Sequence, residues 1–230
     1  MLGTVGLGVC YAIARSLGHV GVFCDISDLV KDLPERILFR LNFGLVGAFL
    51  AILSVPIHDM TMARVGGFLP KLAAAFQFIS GIGVILVGAC GPTEIEWFHL
   101  VAAAMGFAGS GIAQILYNFV FYWEDEVTQP DSAKTIFKWR IATSTGFVIC
   151  AIIFGLGEAD VFPEPTEHIC EWGLWFFLLG WYFTFRWDLK DFYLSSEDTV
   201  KSSGTRSYVP VAKYYAPRSN GAIVQGVAVY

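Results

Sequence analysis

Arg40, His99 and Glu171 are charged or titratable residues set in otherwise apolar stretches. A carboxylate at low dielectric is costly unless it is paired, and Arg or His is its natural partner. Each of the three falls in the outermost turn of a different apolar segment, so they share a depth. One expectation is that Glu171 pairs with Arg40 or His99 and ties those segments together. The competing expectation is that all three snorkel separately to the headgroups. Together with Asp28, His99 and Glu171 are also the acid–base groups available for lipid chemistry at that level. No HExxH, CxxC, GxSxG or Walker pattern occurs. Gly6-x-Gly8 and Gly81-x-Gly83 lack a third glycine and a flanking strand, so they are not dinucleotide sites. His58-Asp59 is too little for a metal centre. The sequence therefore assigns no catalytic residue, no metal ligand and no cofactor.

The segment from Cys24 to Phe43 is the most patterned stretch outside the apolar runs. Asp25, Ser27 and Asp28 have side chains that bond their own backbone and build turns. Pro34 stops one element, and Glu35 opens the next, where its charge suits the helix dipole. The paired carboxylates Asp25 with Asp28 and Glu94 with Glu96 read as solvated loop groups. The chain has five cysteines, an odd number. Cys10 and Cys150 fall inside apolar runs and read as reduced packing residues. Cys24, Cys90 and Cys170 fall at one boundary, where an oxidising compartment would permit one pair among them.

These residues need elements to position them, and composition says which. The chain has 230 residues, 55% hydrophobic and only 15% charged, with a mean hydropathy of +0.58. Soluble domains carry about 25% charged residues. The deficit argues against a soluble enzyme or a disordered chain. A net charge of −5 offers no basic face for nucleic acid. Apolar runs of roughly 20 residues recur: 37–57, 72–90, 97–123, 139–156 and 169–185. A weaker one, 2–23, contains Arg15 and His19; no basic residue precedes it, so it reads as a short or truncated first helix rather than a signal peptide. The fold class is thus an all-α polytopic membrane helix bundle. Six transmembrane helices fill 1–194, followed by a polar cytosolic tail, 195–230, expected to be disordered.

Orientation follows from Lys and Arg. With six spans the termini share a side, and that side holds Arg64, Lys71, Lys134, Lys138, Arg140, Arg186, Lys190, Lys201, Arg206, Lys213 and Arg218, against Lys31, Arg36 and Arg40 opposite. The basic-rich side is the cytosol. Glu124-Asp125-Glu126 also falls there, but acidic residues count little in this rule. Trp97, Trp123, Trp139, Trp172 and Trp187 fall near span ends, where indole prefers the headgroup level; Trp175 and Trp181 lie deeper. Small residues recur at four-residue spacing, as Gly44/Ala48, Gly47/Ala51 and Ala102/Gly106/Ser110, and read as faces for close packing within the bundle rather than as a dimer face. Asn42, Gln77, Gln114, Asn118 and Thr143–Thr145 are polar at depth. They read as interhelical hydrogen-bonding groups, with a polar cavity at Gln114 and Asn118 as the alternative.

At these residues the chain resembles the DRAM family, the damage-regulated autophagy modulators, with their Frag and Sfk relatives. The likeness runs from about Gly18 to Phe192. It is carried by GHVGVFCDISD with the following PE and IL-F-R-LNF, by GVILVGA, by His99 with Ala102, Ala103 and Phe107, by Arg140, and by EHICEW with Thr184, Phe185, Asp191 and Phe192. Its outer-loop motif holds Asp25, Ser27, Asp28, Pro34 and Glu35, and its span-six motif Cys170, Glu171 and Trp172. The resemblance implies a six-helix membrane protein with cytosolic termini on lysosomal or endosomal, Golgi or plasma membranes. Family members modulate autophagy, help place phosphatidylinositol kinase complexes or act in GPI-anchor lipid remodelling, so family alone fixes no single activity.

In the tail, Tyr208 and Val211 form a Tyr-x-x-apolar sequence that sorting adaptors read as an added strand, and Ser and Tyr residues there offer phosphorylation sites. The first reading is therefore a non-enzymatic membrane regulator or scaffold. Its partners would be membrane lipids and, through the tail, cytosolic adaptor or kinase-complex proteins, with no nucleic acid. The alternative is a lipid-remodelling enzyme or subunit. A transporter ranks third, because it would need a midplane site with broken helices.

Overall fold

The structure, a computed structural model, describes residues 2–122, 131–157, 161–190 and 192–193. Tyr208 and Val211, the tail 195–230, Trp123, the acidic residues Glu124–Glu126, and Asp191 lie outside the described residues. Among the described residues there are six long helices: α1 (Leu2–Leu17), α2 (Glu35–Arg64), α3 (Leu69–Ala89), α4 (Glu96–Tyr122), α5 (Asp131–Gly157) and α6 (Glu164–Phe183), with a short 3-10 turn, Ile26–Val30, between α1 and α2. By length and composition α2, α3, α4 and α5 are apolar enough to cross a membrane. α1 has 16 residues and α6 has 20. At about 1.5 Å per residue, α1 is shorter than a hydrocarbon core of about 30 Å. The first apolar run, 2–23, is helical over Leu2–Leu17. The helix stops at Leu17 because Gly18 adopts φ 77° and His19 donates its N–H back to the Ala14 carbonyl at 2.9 Å, a glycine-dependent helix stop.

Period and exposure agree. On α2, Leu38, Leu41, Leu45, Phe49, Ile52 and Val55 recur every three or four residues and are 37–72% exposed. In water such a stripe would be an aggregation hazard. On an all-α bundle it is the lipid-facing surface, and the architecture is a polytopic membrane helix bundle. α3 packs between α2 and α4, α5 packs on α6, α1 on α2 and α4 on α5. Tyr11 of α1 meets Trp172 of α6 edge-on at 6.0 Å and closes the ring of helices.

Without a hydrophobic force between helices in lipid, close backbone approach has to supply contact. α3 does this through Gly81 and Gly83, about 200° apart on the helix. A Cβ on Gly81 would stand 2.5 Å from the Ala51 nitrogen and 2.7 Å from the Gly47 carbonyl oxygen of α2. A Cβ on Gly83 would run into the Gly106 nitrogen of α4 and stand 2.8 Å from the Ala102 carbonyl oxygen. Gly47, Ala51, Ala102 and Gly106 therefore serve packing inside the bundle, while a Cβ added at Gly44 would meet nothing within 4 Å. The core is aromatic. Phe39, Phe43 and Trp175 stack at 4.2 and 4.6 Å, and Trp181, Tyr117, Phe121 and Phe185 form a second cluster. Trp97, Trp139 and Trp187 are exposed near helix ends, whereas Trp175 and Trp181 are fully buried.

The deep polar residues bond between and within helices. Gln77 donates to the Leu50 carbonyl at 3.3 Å, Asn118 to Ser144 Oγ at 2.8 Å, Ser80 to the Gly106 carbonyl at 2.7 Å, and Gln114 to Ser110 Oγ at 3.4 Å. Asn118 and Ser144 also border a groove of about 390 Å³ between α4 and α5. Its remaining walls are chiefly apolar, from Ile115, Phe119, Phe137 and Ile141 among others.

Candidate functional site

One end of the bundle is closed by the α1–α2 connection, which folds back as a cap. Asp25 is the N-terminal cap of the 3-10 turn. Its own N–H donates to Asp28 Oδ2 at 3.3 Å, and the Asp28 N–H donates to the Asp25 carbonyl at 3.2 Å. The self-bonding expected of these loop side chains is seen at Asp28, whose carboxylate accepts the Asp25 N–H. The turn drops Ile26, Leu29 and Val30 into the core, each at most 2% exposed. Pro34 immediately precedes α2, and Arg36 holds the return strand of the loop through the Val30 carbonyl at 2.9 Å and the Lys31 carbonyl.

The cap is tied to α6. Glu171 is buried, and its Oε2 accepts the backbone N–H of Ile26 at 2.6 Å. His168 Nδ1 pairs with Asp25, and Trp172 Nε1 donates to the Cys24 carbonyl at 3.0 Å. Tyr11 of α1 donates to the Val22 carbonyl at 2.9 Å. On α2, the buried Glu35 pairs through Oε1 with His19 Nδ1 at 2.5 Å. Across the cap Arg40 pairs with Glu94 at 2.5 Å, and Glu94 also accepts the Gly91 N–H at 3.1 Å. That backbone donor, and then Arg40, hold the Glu94 carboxyl below the usual carboxylate range. His99 Nδ1 lies 2.7 Å from the Cys90 carbonyl oxygen. A carbonyl only accepts, so this nitrogen carries the hydrogen.

The expected pairing of Glu171 with Arg40 or His99 is corrected by these contacts. Glu171 takes a backbone donor, Arg40 takes Glu94, and His99 takes a carbonyl. The physical reason is that the connecting loops bring their own donors and carboxylates to the same level, so no helix-to-helix ion pair is needed. His99 and Glu171 do line one common cavity, with Ser27, Ile26 and Trp175, but its volume is about 20 Å³. That is near the minimum for a single water.

The expected disulfide among Cys24, Cys90 and Cys170 does not form; all five cysteines are free thiols. Cys170 instead has Cys150 of α5 within hydrogen-bonding reach. Burial, aided by the carboxylates of Asp28, Asp25 and Glu171, pushes the Cys24 thiol up to about 11, so it stays protonated and unreactive.

Sequence reasoning missed a cluster at the opposite end. Arg140 of α5 is buried. Its Nε donates to Thr184 Oγ1 at 2.9 Å, its guanidinium pairs with Asp188, and its Cζ lies 4.2 Å from the Phe121 ring centroid and 4.5 Å from that of Phe185. Arg64 at the end of α2 reaches the same aspartate at 3.3 Å. The available signal was an arginine directly after Trp139 at the mouth of an apolar run, and an aspartate in the aromatic stretch after span six.

A helical membrane bundle closed at one end by a polar cap, and clamped at the other by a buried arginine–aspartate cluster, is thus the class of protein defined by the fold. The chain belongs to the family described as the Frag1/DRAM/Sfk1/Cwh43P N-terminal domain, whose model matches residues 1–192. It is similar to the Danio rerio protein named modulator of macroautophagy TMEM150B, with 29% identity over 185 residues that cover 75% of this chain and 74% of that protein. No solved structure matches.

Proposed function

We propose that this chain is a non-enzymatic multi-pass membrane regulator or scaffold that modulates autophagy. The observation that carries this reading is how the cap is used. Its polar side chains, from Asp25 and His168 to Glu171 and Arg40, are engaged in holding a shaped surface over α1, α2 and α6. The similarity to a protein named as a modulator of macroautophagy supports autophagy as the process modulated. Both termini face the cytosol in this reading, on the basic-rich side, and the cap faces the lumen or exterior. The membranes are lysosomal or endosomal, Golgi or plasma membrane. Lipids meet the exposed apolar faces, and cytosolic adaptors or kinase-complex proteins meet the tail that holds Tyr208 and Val211.

The test is autophagic flux in cells lacking the chain, restored with wild type, His99→Gln or Glu171→Gln, alongside total lipid analysis. A regulator restores flux with wild type and with His99→Gln and leaves lipid composition unchanged. The alternative, a lipid-remodelling enzyme or subunit, draws on the cavity shared by His99 and Glu171. It takes over if both variants are folded and localised yet accumulate an unremodelled lipid. The regulator reading fails if deletion leaves flux unaltered.

A further inference from the structure

We propose that the cap binds one divalent transition-metal ion of the Zn²⁺ type through His19, Asp32 and Glu35. The ligand atoms of these three side chains lie within 4.8 Å of one another. They come from two segments: His19 from the exit of α1, Asp32 and Glu35 from the entry into α2. One imidazole nitrogen and two carboxylates make a donor set that suits a borderline ion such as Zn²⁺, with one position left for water.

Proximity of three polar groups is not by itself a site. The second observation is Glu35. Its side chain is 1% exposed, yet it sits at the mouth of an otherwise accessible cluster, with His19 31% exposed. One of its oxygens meets His19, and the other, Oε2, has no hydrogen-bond partner among the described residues. A buried carboxylate oxygen without a partner costs the full desolvation of that atom. Neither Asp32 nor Glu35 has a lysine or arginine partner among the described residues. The nearby cations are engaged: Lys31 pairs with Asp28, Arg36 binds the Val30 and Lys31 carbonyls, and Arg15 binds the Val20 carbonyl. A divalent cation supplies the missing positive charge and a ligand for the orphaned oxygen. It takes the place of the contact between His19 Nδ1 and Glu35 Oε1, which separate slightly to accept it.

The backbone is already arranged to hold the ligands. His19 is fixed by its own N–H to the Ala14 carbonyl at 2.9 Å, just past the Gly18 stop. Asp32 is fixed through its carbonyl, which accepts the Arg36 N–H at 2.9 Å, and Glu35 is the first residue of α2. The bound ion would staple the end of α1 to the start of α2. This assignment is independent of the regulatory reading.

The test uses the full chain, purified in nanodiscs and stripped with chelator. Zn²⁺ is titrated by calorimetry, and Co²⁺ is followed by its visible ligand-field absorption. The expected result is one equivalent bound with micromolar or tighter affinity, a higher Tm with Zn²⁺, and a Co²⁺ spectrum of low-symmetry four-coordination. His19→Gln and Asp32→Asn keep a hydrogen-bonding side chain at each position, and circular dichroism with gel filtration checks that each variant is folded. Each is expected to weaken binding by at least about tenfold, because a direct ligand outweighs the second-shell partners whose loss costs 10–100-fold. His58→Gln, remote on α2, is expected to titrate like wild type. Binding only at millimolar Zn²⁺, no shift in Tm, or undiminished binding by His19→Gln and Asp32→Asn would each overturn the proposal.

Discussion

Ile26 donates its backbone N–H to Glu171 Oε2 at 2.6 Å, joining the cap to α6 across 145 residues of chain. Both partners are buried, so water offers neither an easy substitute. Glu171→Ala leaves the Ile26 N–H unsatisfied and removes a neighbour of His168 and Asp25. The expected loss is about 1–3 kcal/mol of stability, the desolvation cost of one orphaned donor. Glu171→Gln keeps an acceptor oxygen and is expected to recover much of that. Thermal unfolding of the nanodisc-embedded chain, with limited proteolysis of the cap, separates the two variants. Equal stability in Glu171→Ala and wild type would contradict the bond.

At the opposite end Asp188 serves two arginines, Arg64 and Arg140. Removing one partner of a buried ion pair costs about 3–5 kcal/mol, because it leaves an uncompensated charge. Arg140→Ala is expected to fall in that range. Arg140→Lys is expected to fail as a replacement, since an ammonium cannot bond Thr184 and Asp188 in a fork while lying over Phe121 and Phe185. A double-mutant cycle with Asp188→Asn, read by thermal unfolding, is expected to be strongly non-additive. Additive losses would mean that the two side chains do not interact.

The helices were legible because lipid demands long apolar runs, and the α2 stripe from Leu38 to Val55 repeats at helical spacing. The Asp25–Asp28 turn was legible because its bonds are local. Glu171 could not be matched to its partner, since a backbone N–H has no residue identity and lies 145 positions away. Arg40 was legible as a charge needing a partner, but Glu94 was read as a solvated loop group. A loop residue's reach depends on how α3 and α4 are joined, and spacing does not encode that. Gly81-x-Gly83 was legible as punctuation without chemistry; its role appears only when α2 and α4 are placed on opposite sides of α3. His19 and Glu35, 16 residues apart, meet only because Gly18 ends α1 early.

That placement makes the glycines unequal. A Cβ at Gly83 would enter the backbone of α4 at Gly106, and backbone cannot swing aside as a side chain can. Gly83→Ala is expected to push α3 and α4 apart and cost about 1–3 kcal/mol, the range for overpacking. Gly44→Ala, with nothing within 4 Å, is expected to be neutral or slightly stabilising, since alanine restricts the unfolded chain. Paired melting curves of the two variants decide this. Equal destabilisation would mean that the α3–α4 approach is looser than described.

The Arg40–Glu94 link sets a pH dependence with a defined sign. The Gly91 N–H and the Arg40 guanidinium hold the folded Glu94 carboxyl below its ordinary value of 4.5. A depressed carboxyl contributes stability that is fully present above that ordinary value and is lost as pH falls through the folded value. Glu94 is 41% exposed, so the contribution is small and screened by salt. The expected outcome is that Glu94→Gln lowers Tm at neutral pH and low salt, that the gap to wild type persists in mildly acidic buffer, and that it closes only once pH falls below the ordinary carboxylate value. Arg40→Gln is expected to show a smaller pH effect than Glu94→Gln, because the Gly91 N–H still favours the ionised carboxylate in its absence. A gap between wild type and Glu94→Gln that closes already near neutral pH would show that the carboxyl is not held down by these two donors.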